Sequence, residues 1–415
     1  MSQQPISRFV RRSLVWLAKA AAAIVGLAMA LVALLLLVMW QEHRTGIMLP
    51  APTGHFAVAR AAFLWTNDAK TDELAPSPGS KRQVMAWVWY PATRSAADVP
   101  ADYLPAEWRA AVEGVQGTFM RTFFKRELSV VRNHSLADAA VSPEQRAYPV
   151  VMLRAGGGAL TADFTTLAED LASHGYVVVG FDAPYRSFVF VLPDGRVATQ
   201  SSAYNVENAN GNLADPVIGK LLAMWTSDAA FIVGQLQRLN DESSGKFAGR
   251  LDMQHIGMFG HSFGGATALQ FCHEDARCQA ALDLDGIPFG SVVREGLAKP
   301  GMFLLSDHSR EMADPARNQI LAAIQSIYDR LPDGRWYVII RTANHFSFSD
   351  QILLNSPAAI SLLRLRGLGG LSGRRGLAIS ADYVHTFFDV YLKGAPAASL
   401  TSLPGKYPEV QVDGR

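Results

Sequence analysis

The sequence predicts an α/β protein: a mostly parallel sheet with helices on both faces, plus one N-terminal transmembrane helix. Two observations carry this. From about residue 148 onward, short apolar runs such as YPVVMLR (148–154), YVVVGFD (176–182) and GMFLLSD (301–307) alternate with stretches of helical period. Strands that are apolar at every position are buried on both faces, as in a parallel sheet covered by helices. Residues 20–40, in turn, contain no charged side chain.

That uncharged run reaches roughly 31 Å as a helix, matching the hydrocarbon core of a bilayer. Arg8, Arg11, Arg12 and Lys19 precede it and only Arg44 closely follows. The positive-inside rule therefore keeps the N-terminus cytoplasmic and sends the remainder across, to a periplasmic or extracytoplasmic location. A cleavable signal peptide fits less well, because the run ends in Leu-Val-Met-Trp-Gln without a small-x-small pair. The expected organisation is a basic tail and anchor over 1–45 and a linker and peripheral segment over 46–80. One α/β domain follows over 81–415, with a helical insertion at about 100–145.

Within that domain RQVMAWVWY (82–90) reads as a strand closed by Pro91. Helices are expected at about 162–173, 216–239, 314–330 and 381–392, between strands ending near 154, 182, 259, 285, 307 and 342. Such sheets carry their working groups beyond the C-terminal strand ends. The 38 basic and 37 acidic residues leave a formal charge of +1, which provides no electrostatic footprint for nucleic acid. Cys272 and Cys278 are the only cysteines; they either bridge a short loop in an oxidising compartment or remain thiols.

GHSFGG (260–265) has the G-x-S-x-G form. A nucleophilic serine on a sharp turn needs a buried strand before it, a helix after it and small residues that let the two approach. Ile256 to Phe259, the flanking Gly260 and Gly264, and the helix opened by Gly265-Ala266 supply all three around Ser262. A serine hydroxyl also needs a base, oriented by a third group. Of the downstream histidines, His273 and His385 fall within helices, and His308 follows a strand. His345, in RTANHFSFSD, follows the last strong strand and is the preferred base. Three carboxylates compete for the third role. Asp283 and Asp285 close one strand and share a face by strand alternation, while Asp307 closes the next.

Together, VWYPA, LASHGYVVVGFDAPYRS, GRLDMQHIGMFGHSFGGATALQ, LDG, NHFSFSD and FFDVYLKG resemble the platelet-activating factor acetylhydrolase-like serine esterases of the α/β-hydrolase fold, notably their bacterial members. The resemblance covers most of residues 80–395. In the eukaryotic enzymes the acid is the Asp of a Leu-Asp step 23 residues beyond the serine; Leu284-Asp285 stands at that distance from Ser262. The resemblance thus implies Asp285 as the acid, ahead of Asp307 and then Asp283. It further implies oxyanion donors in the backbone N–H groups of Phe263 and Gly157. The family loop usually reads Ser-His-Gly, then a small or apolar residue and Gly, whereas here it is Arg154-Ala155-Gly156-Gly157-Gly158. The implied activity is carboxylic ester hydrolysis through an acyl-enzyme, on short-acyl esters such as platelet-activating-factor-like or oxidised phospholipids. A broader lipase, polyesterase or thioesterase, or a non-catalytic ligand binder, are the alternatives.

No cofactor or metal is expected: HED (273–275) lacks the i, i+4 histidine pair of a helical zinc site. GTFMRTFFKREL (117–128) reads as an amphipathic cap helix or a membrane-surface helix, and RGLGGLSGRRG (366–376) as a surface loop.

Overall fold

A computed structural model describes residues 8–204, 215–307, 315–365 and 371–414. Ten strands make one sheet: β1 (Ala57–Thr71), β2 (Lys81–Ala92), β3 (Leu136–Ala137), β4 (Tyr148–Arg154), β5 (Val177–Asp182), β6 (Leu251–His261), β7 (Cys278–Leu284), β8 (Gly301–Ser306), β9 (Arg335–Ile340) and β10 (Val410–Gly414). They lie in the order β10-β9-β8-β7-β6-β4-β5-β2-β1-β3. The central run from β9 to β5 is parallel, and β2 and β10 join it antiparallel at either side.

The nine helices used below are α1 (Arg8–Arg44), α2 (Ala106–Gln116), α3 (Thr118–Phe124), α4 (Thr165–Ser173), α5 (Pro216–Asp241), α6 (Phe263–Glu274), α7 (Pro315–Tyr328), α8 (Pro357–Leu365) and α9 (Gly373–Lys393). The period-2 alternation of each strand sorts the core into two layers. Val151, Leu153, Phe259, Leu282 and Leu304 pack with α4 and α9 on one face. Val150, Met152, Met258, Ala281 and Phe303 pack with α5, α6 and α7 on the other. Each of the larger side chains among them contributes about 1.5–3 kcal/mol by leaving water.

α1 is exposed along its apolar run and is long and apolar enough to cross a membrane. α5 is also long enough to cross a membrane but less apolar, with a mean hydropathy of 1.4 against 2.9, and its apolar window is more than half buried and its Trp225 packs on Phe263. It is a core helix, started by Asp215, whose carboxylate accepts the Val217 N–H at 2.8 Å.

Two sequence expectations change. Residues 46–80, read as linker and periphery, contain the whole of β1, which pairs with β2 from Ala57 opposite Ala92 to Thr71 opposite Lys81. The sheet therefore begins well before residue 81. β1 holds a short apolar stretch, Ala61 to Trp65, but its alanines, Arg60 and the closing Asn-Asp-Ala-Lys-Thr weaken its strand signal. In the glycine-rich stretch 366–376, residues 366–370 lie outside the described part, and Gly373 opens α9 with Ser372 accepting the Arg375 N–H. The expected insertion region holds α2 and α3. Cys272 and Cys278 are joined as a disulfide between the end of α6 and the start of β7.

Candidate active site

Strand β6 ends at His261 and α6 begins at Phe263, so one residue, Ser262, makes the whole turn. Its φ is 56° and its ψ −123°, a left-handed conformation that a side chain adopts only under constraint. The constraint is visible on both sides. Ser262 N–H donates to the Leu284 carbonyl at 2.9 Å, and its own carbonyl accepts from Gly265 N–H at 2.9 Å. A Cβ on Gly260 would lie 2.2 Å from the Gly264 backbone, and one on Gly264 would lie 2.0 Å from the Arg154 carbonyl oxygen. Strand, helix and the loop after β4 cross too closely there for any side chain. The turn leaves Ser262 at the N-terminus of α6, whose first N–H groups have no acceptor within the helix.

The loop after β4 borders this turn: a Cβ on Gly156 would stand 2.8 Å from the Ser262 Cβ. Gly157 follows at the surface, and Gly158 takes φ 68°. The departure at Arg154 has a structural counterpart. Its guanidinium is buried 3.7 Å over the Trp225 ring and donates to the Phe181 carbonyl at 3.2 Å. Burial pulls its pKa down to about 10, against the opposing charges of Asp182 and Asp228, so it stays cationic at neutral pH. The loop is thereby pinned from beneath by an ion, with Arg186 and Asp72 paired through two 2.9 Å contacts in the same buried layer.

Asp285 follows β7, buried, with φ 51°. Its Oδ1 accepts the Ser306 N–H at 2.8 Å, and its Oδ2 the Ser306 hydroxyl at 2.9 Å. His345 Nδ1 lies 2.7 Å from the same Oδ2. Burial pushes the carboxyl pKa up, but the His345 hydrogen bond and charge and the Ser306 N–H outweigh it, leaving Asp285 below the usual range and ionised. An ionised carboxylate only accepts, so His345 carries its proton on Nδ1 and has Nε2 free to accept one.

The other two carboxylates do not meet His345. Asp283 is fully buried behind the first turn of α6, where a Cβ on Gly265 would stand 1.9 Å from its Oδ1. Neither of its oxygens makes a well-formed hydrogen bond among the described residues. Burial and then the charge of Asp285 hold it well above the usual range. The alternation argument, which put Asp283 and Asp285 on one face, fails because Asp285 has left the extended conformation. Asp307 instead accepts the Thr342 N–H at 3.1 Å.

His273 pairs with Glu295 at 3.1 Å and His385 with Asp170 at 2.8 Å, each on its helix, while His308 lies outside the described residues. Asp170, His174 and His385 bring three atoms of metal-ligand type within 4.8 Å of one another, with the two imidazoles stacked at 3.9 Å and 19° between planes. Asp170 meanwhile accepts the Thr53 N–H at 2.9 Å, latching the segment after α1 onto α4.

The sequence reading passed over His261, the variable residue before the serine. Its Nε2 lies 2.7 Å from the His345 carbonyl oxygen, so Nε2 carries the proton, and its ring is 4.3 Å from that of His345. Burial, followed by the nearby His345, drives its pKa to about 3, so it stays neutral. Only its place in the motif could have flagged it. At Gly158, on the loop after β4, a cavity of about 230 Å³ opens between Tyr103, Lys125, Asp163, Phe188 and Gln351.

A single strained serine between the central strand and its helix, on a sheet of this order, defines an α/β-hydrolase. Residues 239–386 match the family model of platelet-activating factor acetylhydrolase, isoform II. The chain is 24% identical to the probable 1-alkyl-2-acetylglycerophosphocholine esterase of Arthroderma benhamiae, over 88% of this chain and 94% of that one. It is 23% identical to the platelet-activating factor acetylhydrolase of Cavia porcellus, where the match covers 53% of this chain and about half, 52%, of the relative. A ferulic acid esterase from Streptomyces cinnamoneus superposes with a TM-score of 0.71 at 27% identity, over 89% of this chain and 99% of that one. The chain is thus similar to platelet-activating factor acetylhydrolases and alkylacetylglycerophosphocholine esterases, and is a carboxylic ester hydrolase.

Proposed function

We propose that Ser262 is the nucleophile, His345 its base and Asp285 the acid that orients the base, acting on short-acyl esters, with short-chain or oxidised phospholipids as the substrate class. The observation that carries the reading is the 2.7 Å Asp285–His345 contact, in a segment anchored over the strained serine turn by His261. In this scheme His345 Nε2 takes the Ser262 proton as Oγ attacks the ester carbonyl, and Asp285 stabilises the imidazolium that forms. The Phe263 and Gly157 N–H groups receive the oxyanion; one such donor is worth about 3 kcal/mol in well-studied proteases. His345 then returns the proton to the leaving alkoxide, and water attacks the acyl-enzyme with His345 again as base.

The lipid assignment draws on the names of the two relatives and on α1, a long apolar helix. We read α1 as an anchor with its N-terminus cytoplasmic and the hydrolase body on the outer side.

Replacing Ser262 with Ala should abolish the burst of p-nitrophenol from p-nitrophenyl acetate and all labelling by a fluorophosphonate probe; undiminished turnover would sink the assignment. A panel of p-nitrophenyl acetate, short-acyl phosphatidylcholine and methyl ferulate separates the lipid reading from an aromatic-acyl preference.

A further inference from the structure

The C-terminal end of α1 does not lead into a loose tether. The Glu42 carboxylate accepts the Ser356 hydroxyl at 2.5 Å and the Ala358 N–H at 3.1 and 3.2 Å, closing the N-terminus of α8. The His43 carbonyl accepts the Glu127 N–H at 2.9 Å, and His43 Nδ1 lies 2.9 Å from the Lys125 carbonyl oxygen. Arg126 donates to the Glu42 and Thr45 carbonyls at 3.0 Å each and to the Leu353 carbonyl at 3.1 Å. Met39, one turn earlier, is buried. Lys125, Arg126 and Leu354 also line the cavity beside Gly158. One set of residues therefore holds the apolar helix and walls the cavity.

Around that junction the surface is apolar. Trp40 on α1, Phe119 and Met120 on α3 and Leu362 on α8 are all exposed, Phe119 at 58%. This surface is continuous with the exposed length of α1, and a phospholipid bilayer is the occupant that covers both at once.

Building on the anchor and esterase readings, we propose that the last turn of α1 is a working part of the cap. It stays in the mature protein and fixes the hydrolase body so that the cavity beside Gly158 faces the bilayer surface, where lipid esters can enter it directly. Cleavage beyond His43 would strip α8 of its capping carboxylate and leave Arg126 without its Glu42 acceptor.

The test uses the full chain, extracted from membranes and reconstituted into phosphatidylcholine/phosphatidylglycerol vesicles. Its intact mass should include α1; a mature chain starting after His43 overturns the proposal. Phe119→Cys, labelled with an environment-sensitive fluorophore while Cys272 and Cys278 remain paired, should shift to the blue and be quenched by doxyl lipids. Emission that stays water-like overturns the pose whatever the enzyme acts on. Glu42→Ala should lower the rate on vesicle-borne short-acyl phosphatidylcholine about tenfold relative to p-nitrophenyl acetate, with Glu42→Gln in between. Equal loss on both substrates, or none, counts against the proposal. Fluorophosphonate labelling of the unaltered protein separates a failure here from a failure of the esterase reading: without labelling the esterase reading falls, while the mass and fluorescence results still decide the pose.

Discussion

Asp283 and Asp285 stand two residues apart, yet their surroundings act on them in opposite senses. Ser306 and His345 surround Asp285 with donors, so it is held ionised; Asp283 has α6 against it and is held neutral. Asp285→Asn should cost roughly 10⁴-fold in kcat, the scale seen when a triad carboxylate is made an amide, whereas Asp307→Asn should stay within a few-fold. Steady-state kinetics on p-nitrophenyl acetate decide this, and a larger loss at Asp307 would reverse the assignment. For Asp283 the linkage runs the other way. Its native pKa is raised, so the unfolded chain releases a proton that the native state keeps, and stability falls as pH rises above the ordinary carboxylate pKa of about 4. Asp283→Asn removes that dependence, and its Tm advantage should widen from about pH 4 to about pH 7; a constant offset would show that Asp283 does not titrate this way. The depressed pKa of Asp285 has the opposite sign: its contribution is present above the unfolded pKa and is lost as pH falls through the native one.

The turn between β6 and α6 exists because three backbones meet where side chains would stand. Gly264→Ala would press a methyl group onto the Arg154 carbonyl, and with backbone on both sides neither partner can yield. Overpacking of this kind costs about 1–3 kcal/mol or more, so urea unfolding should show a loss at the upper end of that range, with fluorophosphonate labelling falling alongside. A variant as stable and as reactive as the parent would mean that strand and helix are not held this close. These glycines were legible in the sequence, since their spacing around Ser262 has no other economical explanation. The support around them was not. Arg154 reads as a charged residue in a loop, and its place over Trp225 depends on α5, which starts 62 residues further on. His261 was equally hidden, because its partner is a backbone carbonyl whose position no side-chain pattern encodes.

At the scale of the whole chain, continuous apolar strands and intervening helices were enough to read a covered parallel sheet. Both cores follow that alternation from β4 to β9. β1 escaped because its alanines, Arg60 and polar end dilute the apolar stretch Ala61 to Trp65, while pairing along its neighbour's backbone holds it in the sheet. α5 shows the converse limit. By length and apolarity it could pass for a second membrane span, and only its burial against α6 makes it a core helix.

Residue type and spacing by themselves determined the layered α/β architecture, the serine turn and His345 as the preferred base; they left Asp285 level with Asp283 and Asp307, and only the family resemblance put it first, the residue that the folded chain brings to 2.7 Å from His345. Periodicity and turn chemistry are local, so the chain displays them in one dimension. Tertiary structure alone decided which carboxylate is ionised, which histidine is neutral, and how the end of α1 is stitched to α8 and the cavity wall. Those depend on burial and on hydrogen bonds between residues up to 316 positions apart, distances that only the folded backbone closes.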